Sequence, residues 1–300
     1  MVVEQGSISN AAALIGISQP ALTRQIQALQ KEFDAPLFAR MRHGVELTMI
    51  GETLAFEARR ILATVRDARD AVDAASGKRG GRISIGTSTS LASVFLPDLV
   101  MSAAREMPDV RLSVSEGYTE NLCERLLDGR LEMAIADYRT PLPKVAARPL
   151  FREPIVVVGA AGQFAAGATI TMRDFLHQES VLAASTGRLR LMFEKLAAKD
   201  GGAKGRFTEV DSHPALVQLI TSGGGVSLLP YSSIHHEVRA GRMSVADLSP
   251  APIRRQVALL VAKSRALSPA SEAMEKIIDQ LVARNAGDMR WDVSAVSNVD

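Results

Sequence analysis

The sequence lacks several features that would narrow its class at once. Its 300 residues include a single cysteine, Cys123. One cysteine excludes a disulfide framework within the chain and fits a reducing compartment. No apolar run approaches the roughly 18 residues that a membrane-spanning helix needs, and no signal peptide is recognisable at the start. We therefore expect a cytoplasmic protein without a membrane partner.

A strong excess of charge of one sign is also missing. The net charge is +2 for the whole chain, and residues 1–82 hold 11 Lys/Arg and 9 Asp/Glu. The net charge therefore does not indicate that the protein binds nucleic acid. Any affinity for phosphate groups must depend on where individual arginines lie. The hydrophobic content of 47% indicates a globular chain. A length of 300 residues usually exceeds one core.

What the sequence does contain is a pattern of two short helices joined by a tight corner, over residues 7–29. Ile8, Ala12 and Ile15 recur at helical spacing in the first half, and Leu22, Ile26 and Leu29 do so in the second and are expected to face the first helix. Gly16 follows the first helix as a left-handed stop. Ser18 can cap the second helix, and Pro20 falls in its first turn, where a missing N–H costs little. This pattern is typical of a helix-turn-helix, whose second helix enters the major groove of DNA. An ordinary helical hairpin with a solvated face is the alternative.

Three linked motifs carry a family resemblance. The segments are Ser18–Thr23 (Ser-Gln-Pro-Ala-Leu-Thr), Leu37–Arg40 (Leu-Phe-Ala-Arg) and Gly44–Thr48 (Gly-Val-Glu-Leu-Thr). In this order and spacing they resemble the LysR-type transcriptional regulators, and a weaker resemblance continues through most of the chain. It implies an α/β protein with an N-terminal winged helix-turn-helix and a long linker helix. The C-terminal part would be a two-lobe α/β effector-binding domain resembling periplasmic binding proteins.

The resemblance also implies domain boundaries. We expect a DNA-binding domain at 1–48, a linker and dimerisation helix at 49–75, a hinge at 76–82 and an effector-binding domain at 83–300. Lobe I would take about 83–158 and 266–300, and lobe II about 159–265. The family's first helix normally precedes the Gly-Ser pair matched by Gly6-Ser7, and only Met1–Gln5 stand before it. We therefore expect that the chain begins late, within that helix.

The implied DNA-binding residues lie on the second helix and on the wing. They are Ser18, Gln19, Pro20, Thr23, Arg24, Gln27, Arg40 and Arg42. We expect Gln19 and Thr23 to contact base edges and Arg24 to hold a phosphate. Arg40 and Arg42 would grip the flanking DNA backbone.

The linker region predicts a long helix with an apolar seam. Its seam residues, spaced alternately by four and three, are Leu54, Ala58, Ile61, Val65, Ala68 and Val72. A narrow apolar stripe on a polar helix requires a partner helix. The alternative is packing onto its own domain. The resemblance favours a homodimer through this helix, further pairing into a tetramer and a roughly palindromic DNA site.

Beyond the hinge, strands and helices alternate. The predicted elements include an alternating strand at Arg82–Ser88, apolar strands at Pro154–Gly159 and Val257–Ala262, and a helix at Leu189–Lys199. This alternation predicts two α/β units joined by crossing strands and a ligand cleft between them. Several helix starts carry hydroxyl or imidazole groups suited to an anion. The resulting candidate effector-binding residues are Ser88, Thr89, Ser90, Thr119, Ser185, Thr186 and His213. In the resembling family the cleft binds an inducer, often a small organic acid. A plain helix cap is the alternative at each position.

Catalysis is the main competing interpretation. Ser88 or Ser90 with His213 and Asp211 could be imagined as a triad, but residues 86–90 lack the Gly-x-Ser-x-Gly elbow that exposes a nucleophile. Cys123 lies mid-helix, which indicates core packing rather than reactivity. We therefore expect a regulator and no enzyme.

Metal, phosphate-loop and transport interpretations are weaker still. Neighbours in His235-His236-Glu237 point apart on a helix and lack ligand spacing. No Lys-Ser/Thr follows Gly223–Gly225, as a phosphate loop would require. We therefore expect no cofactor and no metal. A stand-alone solute-binding protein would share the two lobes, but it would need a signal peptide and would not need residues 7–48.

Overall fold

The structure is a computed structural model that describes residues 1–76, 80–138, 142–183, 207–265 and 267–294. The chain divides into two units, Met1–Arg66 and Asp67–Asp300. None of the helices within the described ranges is long and apolar enough to cross a membrane.

The N-terminal unit consists of short helices and one hairpin. Its elements are α1 (Val2–Gln5), α2 (Ile8–Ile15), α3 (Gln19–Glu32), β1 (Phe38–Met41), β2 (Gly44–Leu47) and the first part of α4 (Met49–Ala75). Ser7 caps α2 by accepting from the backbone N–H of Asn10 at 3.3 Å, and Ser18 caps α3 by accepting from Ala21 at 3.4 Å. Gly16 ends α2 in the left-handed region at φ 75°. The predicted helix-turn-helix and wing are confirmed.

Small side chains let α2 and α3 meet closely. Ala11, Ala12 and Leu22 are buried together, and partly buried Ile17 packs against them from the corner. The helical faces expected from the sequence are only partly buried. Ile8 and Ile26 pack against this cluster, whereas Ile15, the last residue of α2, and Leu29 are 43% and 40% exposed.

The C-terminal unit is a mixed α/β structure. Its strands are β3 (Gly81–Ser88), β4 (Val110–Gly117), β5 (Met133–Asp137), β6 (Val145–Ala160), β7 (Thr169–Thr171), β8 (Ser180–Ala183), β9 (Phe207–Val210), β10 (Ser227–Pro230), β11 (Met243–Ser249) and β12 (Ile253–Ala262). Its helices are α5 (Thr89–Glu106), α6 (Thr119–Leu127), α7 (Met172–Leu176), α8 (His213–Thr221), α9 (His235–Arg239) and α10 (Pro269–Asn285), with a 3-10 turn at Tyr231–Ile234. The predicted helix over Leu189–Lys199 lies outside the described residues.

One large sheet runs through this unit in the order β4-β3-β5-β12-β6-β11-β7, with β10 also paired to β6. Strands β3, β4 and β5 are parallel, whereas β12 is antiparallel to both β5 and β6. Strands β8 and β9 form a separate parallel pair. The parallel arrangement places the carboxyl ends of β3, β4 and β5 at one edge, where helices α5 and α6 begin.

Two long strands connect the two lobes. The first part of β6 pairs with β12 from Val145↔Ala262 to Ile155↔Ile253, and its last residues pair with β10 and β11. Lobe I is here the part built on β3–β5, α5, α6 and α10, and lobe II is the part built on β7–β11 and α7–α9. Both crossing strands are longer than the strands predicted at Pro154–Gly159 and Val257–Ala262. The residues that the prediction left out, at the start of each strand, include arginines, which interrupt the apolar pattern.

Each lobe has its own apolar core. Lobe I packs Phe95, Phe151 and Trp291 together, with the rings of Phe151 and Trp291 stacked at a centroid distance of 4.0 Å. Phe175 is fully buried in the core of lobe II. The residues of β3 from Ile83 onward are all buried. Its expected alternation of exposed and buried residues is therefore wrong, because a parallel strand inside the sheet is covered on both faces.

Candidate functional site

The exposed side of α3 carries most of the residues predicted to bind DNA. Ser18, Gln19, Pro20, Arg24 and Gln27 are exposed, and Thr23 is half-buried.

Gln19 and Thr23 orient each other at the start of α3. Gln19 Nε2 donates to Thr23 Oγ1 at 3.3 Å, and Thr23 Oγ1 donates to the carbonyl of Gln19 at 2.9 Å. One turn of helix therefore presents a mutually positioned amide and hydroxyl, which is the chemistry that reads base edges.

The wing presents two of the predicted arginines. Arg40 lies on β1 and pairs with Val45 of β2. Arg42 lies in the turn that joins the two strands, next to their last pair, Met41 and Gly44. Both are exposed, as is Arg24. Within the described ranges, no carboxylate pairs with any of these three guanidinium groups, so their charge is available for an anionic partner.

The wing is held against the helices by contacts that the sequence did not predict. Gln30 Oε1 accepts from the backbone N–H of Leu37 at 2.9 Å and of Phe38 at 3.3 Å. The N–H of Val45 donates to the carbonyl of Gly6 at 2.9 Å. A Cβ on Gly44, at φ 110°, would lie 2.2 Å from that same oxygen. Glycine is therefore required where the wing meets the turn between α1 and α2.

Helix α4 extends over the range that the heptad seam predicted. Its seam residues Ile61, Val65 and Val72 are all exposed. Large apolar side chains on a narrow stripe of a long helix remain in solvent unless a second helix covers them.

Lobes I and II enclose a cavity of about 810 Å³. Five predicted effector residues line it together: Ser88, Thr89, Ser90, Thr119 and His213. Ser185 and Thr186 lie outside the described residues. The five come from the starts of α5, α6 and α8, so helix starts of both lobes face one space. Backbone N–H groups of a first helical turn have no partner within the helix and favour negative charge.

A buried arginine supports the lobe I side of this cavity. Arg255 Nη1 donates to Ser90 Oγ at 2.8 Å, and Ser90 Oγ lies 3.5 Å from Ser88 Oγ. Arg255 Nε donates to Glu153 Oε1 at 2.6 Å, and Nη2 lies 2.5 Å from the same oxygen. Glu153 Oε2 accepts from the backbone N–H of Ser232 at 3.2 Å. The crossing strands β6 and β12 thus hold a charge pair directly behind the two serines.

Sequence reasoning missed Arg255, although a signal was present. The pair Arg254-Arg255 lies beside the apolar run that begins at Val257, and charged residues next to a core strand need a partner. The partner, Glu153, lies 102 residues earlier in the chain. A pattern among neighbouring residues therefore could not identify Glu153 as the partner of Arg255.

A hydrogen bond joins the two lobes across the cavity. Tyr118, between β4 and α6, donates its hydroxyl to Asp211 Oδ1 at 2.5 Å. This bond, together with burial and the charge of Asp211, raises the pKa of Tyr118 to about 12. The hydroxyl therefore stays protonated and keeps donating throughout the physiological range.

The contacts of His213 differ from those of a catalytic triad. His213 Nε2 lies 3.1 Å from the carbonyl of Ser233, and since a carbonyl only accepts, Nε2 carries the proton. Asp211 instead accepts from Tyr118. Among the described contacts, the aspartate and the imidazole are engaged separately, so they do not form the relay that activates a serine.

Cys123 lines the cavity but remains buried among Leu122 and Leu126. Burial, together with the smaller effect of the charges of Glu120 and Glu124, raises the pKa of the Cys123 thiol to about 11. The predicted packing role agrees with this environment, because a protonated thiol is a poor nucleophile.

Comparisons with known proteins give one consistent result. The family "Bacterial regulatory helix-turn-helix protein, lysR family" matches residues 1–52, and "LysR substrate binding domain" matches residues 76–284. The HTH-type transcriptional regulator CbbR of Rhodospirillum rubrum is 31% identical over 268 residues, covering 89% of this chain and 89% of that protein.

Solved structures agree on the fold. A full-length OxyR variant from Pseudomonas aeruginosa superimposes with a TM-score of 0.70 at 24% identity, covering 96% of this chain and 93% of that one. Full-length CbnR in complex with its target DNA gives a TM-score of 0.64 at 23% identity, covering 95% and 96%. At these identities the likeness concerns the fold alone.

Proposed function

Because this chain belongs to the LysR family of DNA-binding transcriptional regulators, we propose that it binds operator DNA through α3 and the wing and responds to a small organic anion in the lobe cleft. It acts in the cytoplasm as a homo-oligomer and performs no catalysis. We retain the proposed organisation into a DNA-binding domain at 1–48, a linker helix at 49–75, a hinge at 76–82 and an effector-binding domain at 83–300.

The DNA-binding part of the proposal is supported by the free charges of the N-terminal unit. Gln19 and Thr23 would contact base edges, since they form one polar unit at the exposed start of α3. Arg24, Arg40 and Arg42 would bind phosphates and so set the position of the protein on the duplex. Ser18, Pro20 and Gln27 flank these contacts.

The oligomer is supported by the exposed seam of α4. Ile61, Val65 and Val72 need a covering surface, and a second copy of the same helix supplies one with matching spacing. A two-fold dimer would present two copies of α3 to DNA, which predicts a roughly palindromic operator. CbnR, a relative in fold, has been solved with its target DNA.

One observation carries the ligand proposal: residues predicted separately from three helix starts line a single cavity. Ser88, Thr89, Ser90 and Thr119 would bind a carboxylate from lobe I, and His213 would contact the ligand from lobe II. We propose Ser185 and Thr186 as further contacts. A ligand shifts regulation only if it binds one arrangement of the lobes better than the other.

Fluorescence anisotropy of the full chain tests this function. The labelled duplex is the DNA upstream of the protein's own gene, and the competitor is a scrambled duplex of the same composition, at several salt concentrations. We expect salt-sensitive binding with a preference for the upstream duplex. Equal binding of both duplexes at every salt concentration would contradict a sequence-specific regulator.

A further inference from the structure

The segment that follows α10, residues 286–292, is fixed to lobe I by apolar contacts. Trp291 is buried in the core of lobe I, and its ring stacks on that of Phe151 at a centroid distance of 4.0 Å. Asp292 then pairs with Arg152 of β6 through two backbone hydrogen bonds of 2.8 and 2.9 Å. Because a large aromatic side chain holds it in a packed core, this segment must move together with lobe I.

The charged side chains of the same segment contact lobe II. Arg290 Nη2 lies 2.9 Å from both carboxylate oxygens of Asp247 on β11, and its guanidinium lies over the ring of Tyr231, 5.2 Å from the centroid. Arg239, the last residue of α9, donates from Nη1 to Asp288 Oδ2 at 3.0 Å. Two ion pairs and a cation–π contact therefore join a segment anchored in lobe I to three elements of lobe II.

The backbone at Arg290 separates these two sets of contacts. Its φ of 57° lies in the left-handed region, which a residue with a Cβ adopts only at a cost in free energy. The N–H of Trp291 donates to the carbonyl of Ala286 at 2.8 Å and holds this bend in place. As a result, Arg290 is directed to lobe II while the next residue, Trp291, enters the core of lobe I.

We propose that residues 286–292 form a strap that restrains the movement of lobe II on lobe I. The lobes are joined by β6 and β12, and a rotation about these strands would displace Asp247 and Arg239 from the strap and break both ion pairs. The strap thereby favours the arrangement of the lobes seen in this structure. Since the lobes enclose the cavity, the strap contributes to the affinity for any molecule that binds one arrangement better than another.

Distance measurements between the lobes test the strap without a ligand. The substitutions Gln280→Cys in α10 and Ser222→Cys after α8 place one spin label on each lobe, at positions that are exposed. All proteins also carry Cys123→Ala, so that only the introduced thiols are labelled. Full-length labelled chains are mixed with an excess of unlabelled chains, and pulsed electron paramagnetic resonance then gives the distribution of distances within one protomer.

The double variant Arg290→Gln, Arg239→Gln removes both ion pairs. We expect the population at distances other than the main distance of the parent to rise about threefold or more, because two partly exposed ion pairs and one cation–π contact together supply that factor. Arg284→Gln is the matched control. It breaks a comparable pair of 2.7 Å with Asp98, which joins α10 to α5 within lobe I, and it should keep the distribution of the parent.

Reversing the charges of one pair provides a rescue. Arg290→Asp alone places two carboxylates together and should increase the population of other distances. Aspartate tolerates the left-handed backbone at this position better than most residues. Adding Asp247→Arg restores the attraction in the opposite sense, so the double reversal should return the distribution toward that of the parent. A double reversal no closer to the parent than Arg290→Asp would contradict the strap.

Trp291 is the single tryptophan of the chain, and its fluorescence reports whether the strap stays anchored in lobe I. In the double glutamine variant its emission should remain that of a buried indole, so that a changed distance distribution reflects the lost contacts with lobe II. An unchanged distribution in this variant would overturn the proposal, and so would an equal change in Arg284→Gln. Emission from an exposed indole would also overturn it, because the ion pairs would then hold the segment itself rather than lobe II.

Discussion

Tyr118 of lobe I donates its hydroxyl to Asp211 Oδ1 of lobe II at 2.5 Å, although the two residues are 93 positions apart in sequence. The bond lies in the lining of the cavity, beside the starts of α6 and α8. Any movement that separates the lobes at this point must break it. Its strength therefore contributes to the balance between arrangements of the lobes.

Tyr118→Phe should weaken that link. We expect the C-terminal unit to lose about 0.5–1.5 kcal/mol, the usual net value of one hydrogen bond. Urea denaturation measures the change. Tyr138→Phe is the matched control, because Tyr138 lines the same cavity and its hydroxyl has no hydrogen bond among the described residues. Equal losses in both variants would show that the lobe-bridging bond contributes nothing specific.

Gln19→Ala and Arg24→Ala should affect DNA binding differently. Gln19→Ala removes a base-reading amide and should reduce discrimination between operator and random DNA by roughly 1–3 kcal/mol. Arg24→Ala should weaken binding to all sequences and reduce the slope of affinity against salt by about one unit. Anisotropy titrations over a salt series measure both effects. Equal losses on both DNAs for Gln19→Ala would refute its role.

Gly44→Ala should disrupt the wing. The new Cβ would lie 2.2 Å from the carbonyl oxygen of Gly6, at a backbone φ of 110°. We expect a loss of about 3 kcal/mol or more and failure to bind DNA. Gly16→Ala is the control, since Gly16 also has a positive φ but open space around it, and should cost only about 1–2 kcal/mol. Thermal melting and anisotropy would compare the two, and similar effects would contradict the steric explanation.

Arg255→Met should destabilise the C-terminal unit by about 3–5 kcal/mol, because it leaves Glu153 buried without its cation. Arg255 is 7% exposed and Glu153 is 0% exposed. Adding Glu153→Leu to this variant should recover most of the loss, since an apolar pair can replace a buried ion pair. Chemical denaturation of the single and double variants measures the coupling. A double variant no more stable than Arg255→Met would contradict the pairing.

Cys123 should resist alkylation near neutral pH. Burial raises its pKa from 9.0 to about 11, so the neutral thiol is favoured until the pH approaches that value. The thiolate fraction at neutral pH is then about a hundredfold lower than for an unperturbed thiol. Iodoacetamide labelling followed by mass spectrometry should show a rate that rises about tenfold per pH unit up to that range. A rate already maximal at neutral pH would contradict this environment.

The helix-turn-helix was predictable because its signals are local. Ser7, Gly16, Ser18 and Pro20 act on backbone groups within a few residues of themselves, so their positions mark where α2 ends and α3 begins. The hydroxyl groups at the starts of α5 and α6 were recognisable from their positions alone, although neither helix start has a side-chain cap hydrogen bond. The expectation that Ile15 and Leu29 pack with these helices was wrong, since both are exposed; helical spacing gives the face of a residue but not how much of that face a neighbour covers.

The strands that join the lobes could be predicted only in part from local sequence. The apolar part of β6 was recognisable, but its first residues contain charges that sequence alone could not assign to a strand. Pairing with β12 over Val145–Ile155 decides that these residues belong to the sheet.

The sequence by itself determined the family, the helix-turn-helix and the hydroxyl-bearing helix starts, because caps, turns and spacing act over a few residues. Only the tertiary structure decided that Arg255 supports Ser90, 165 residues away, and that α6 turns its glutamates toward the same cavity. Contacts of that range depend on sheet register and on how the lobes meet. Many different local sequences satisfy both conditions, so no local pattern encodes the partners.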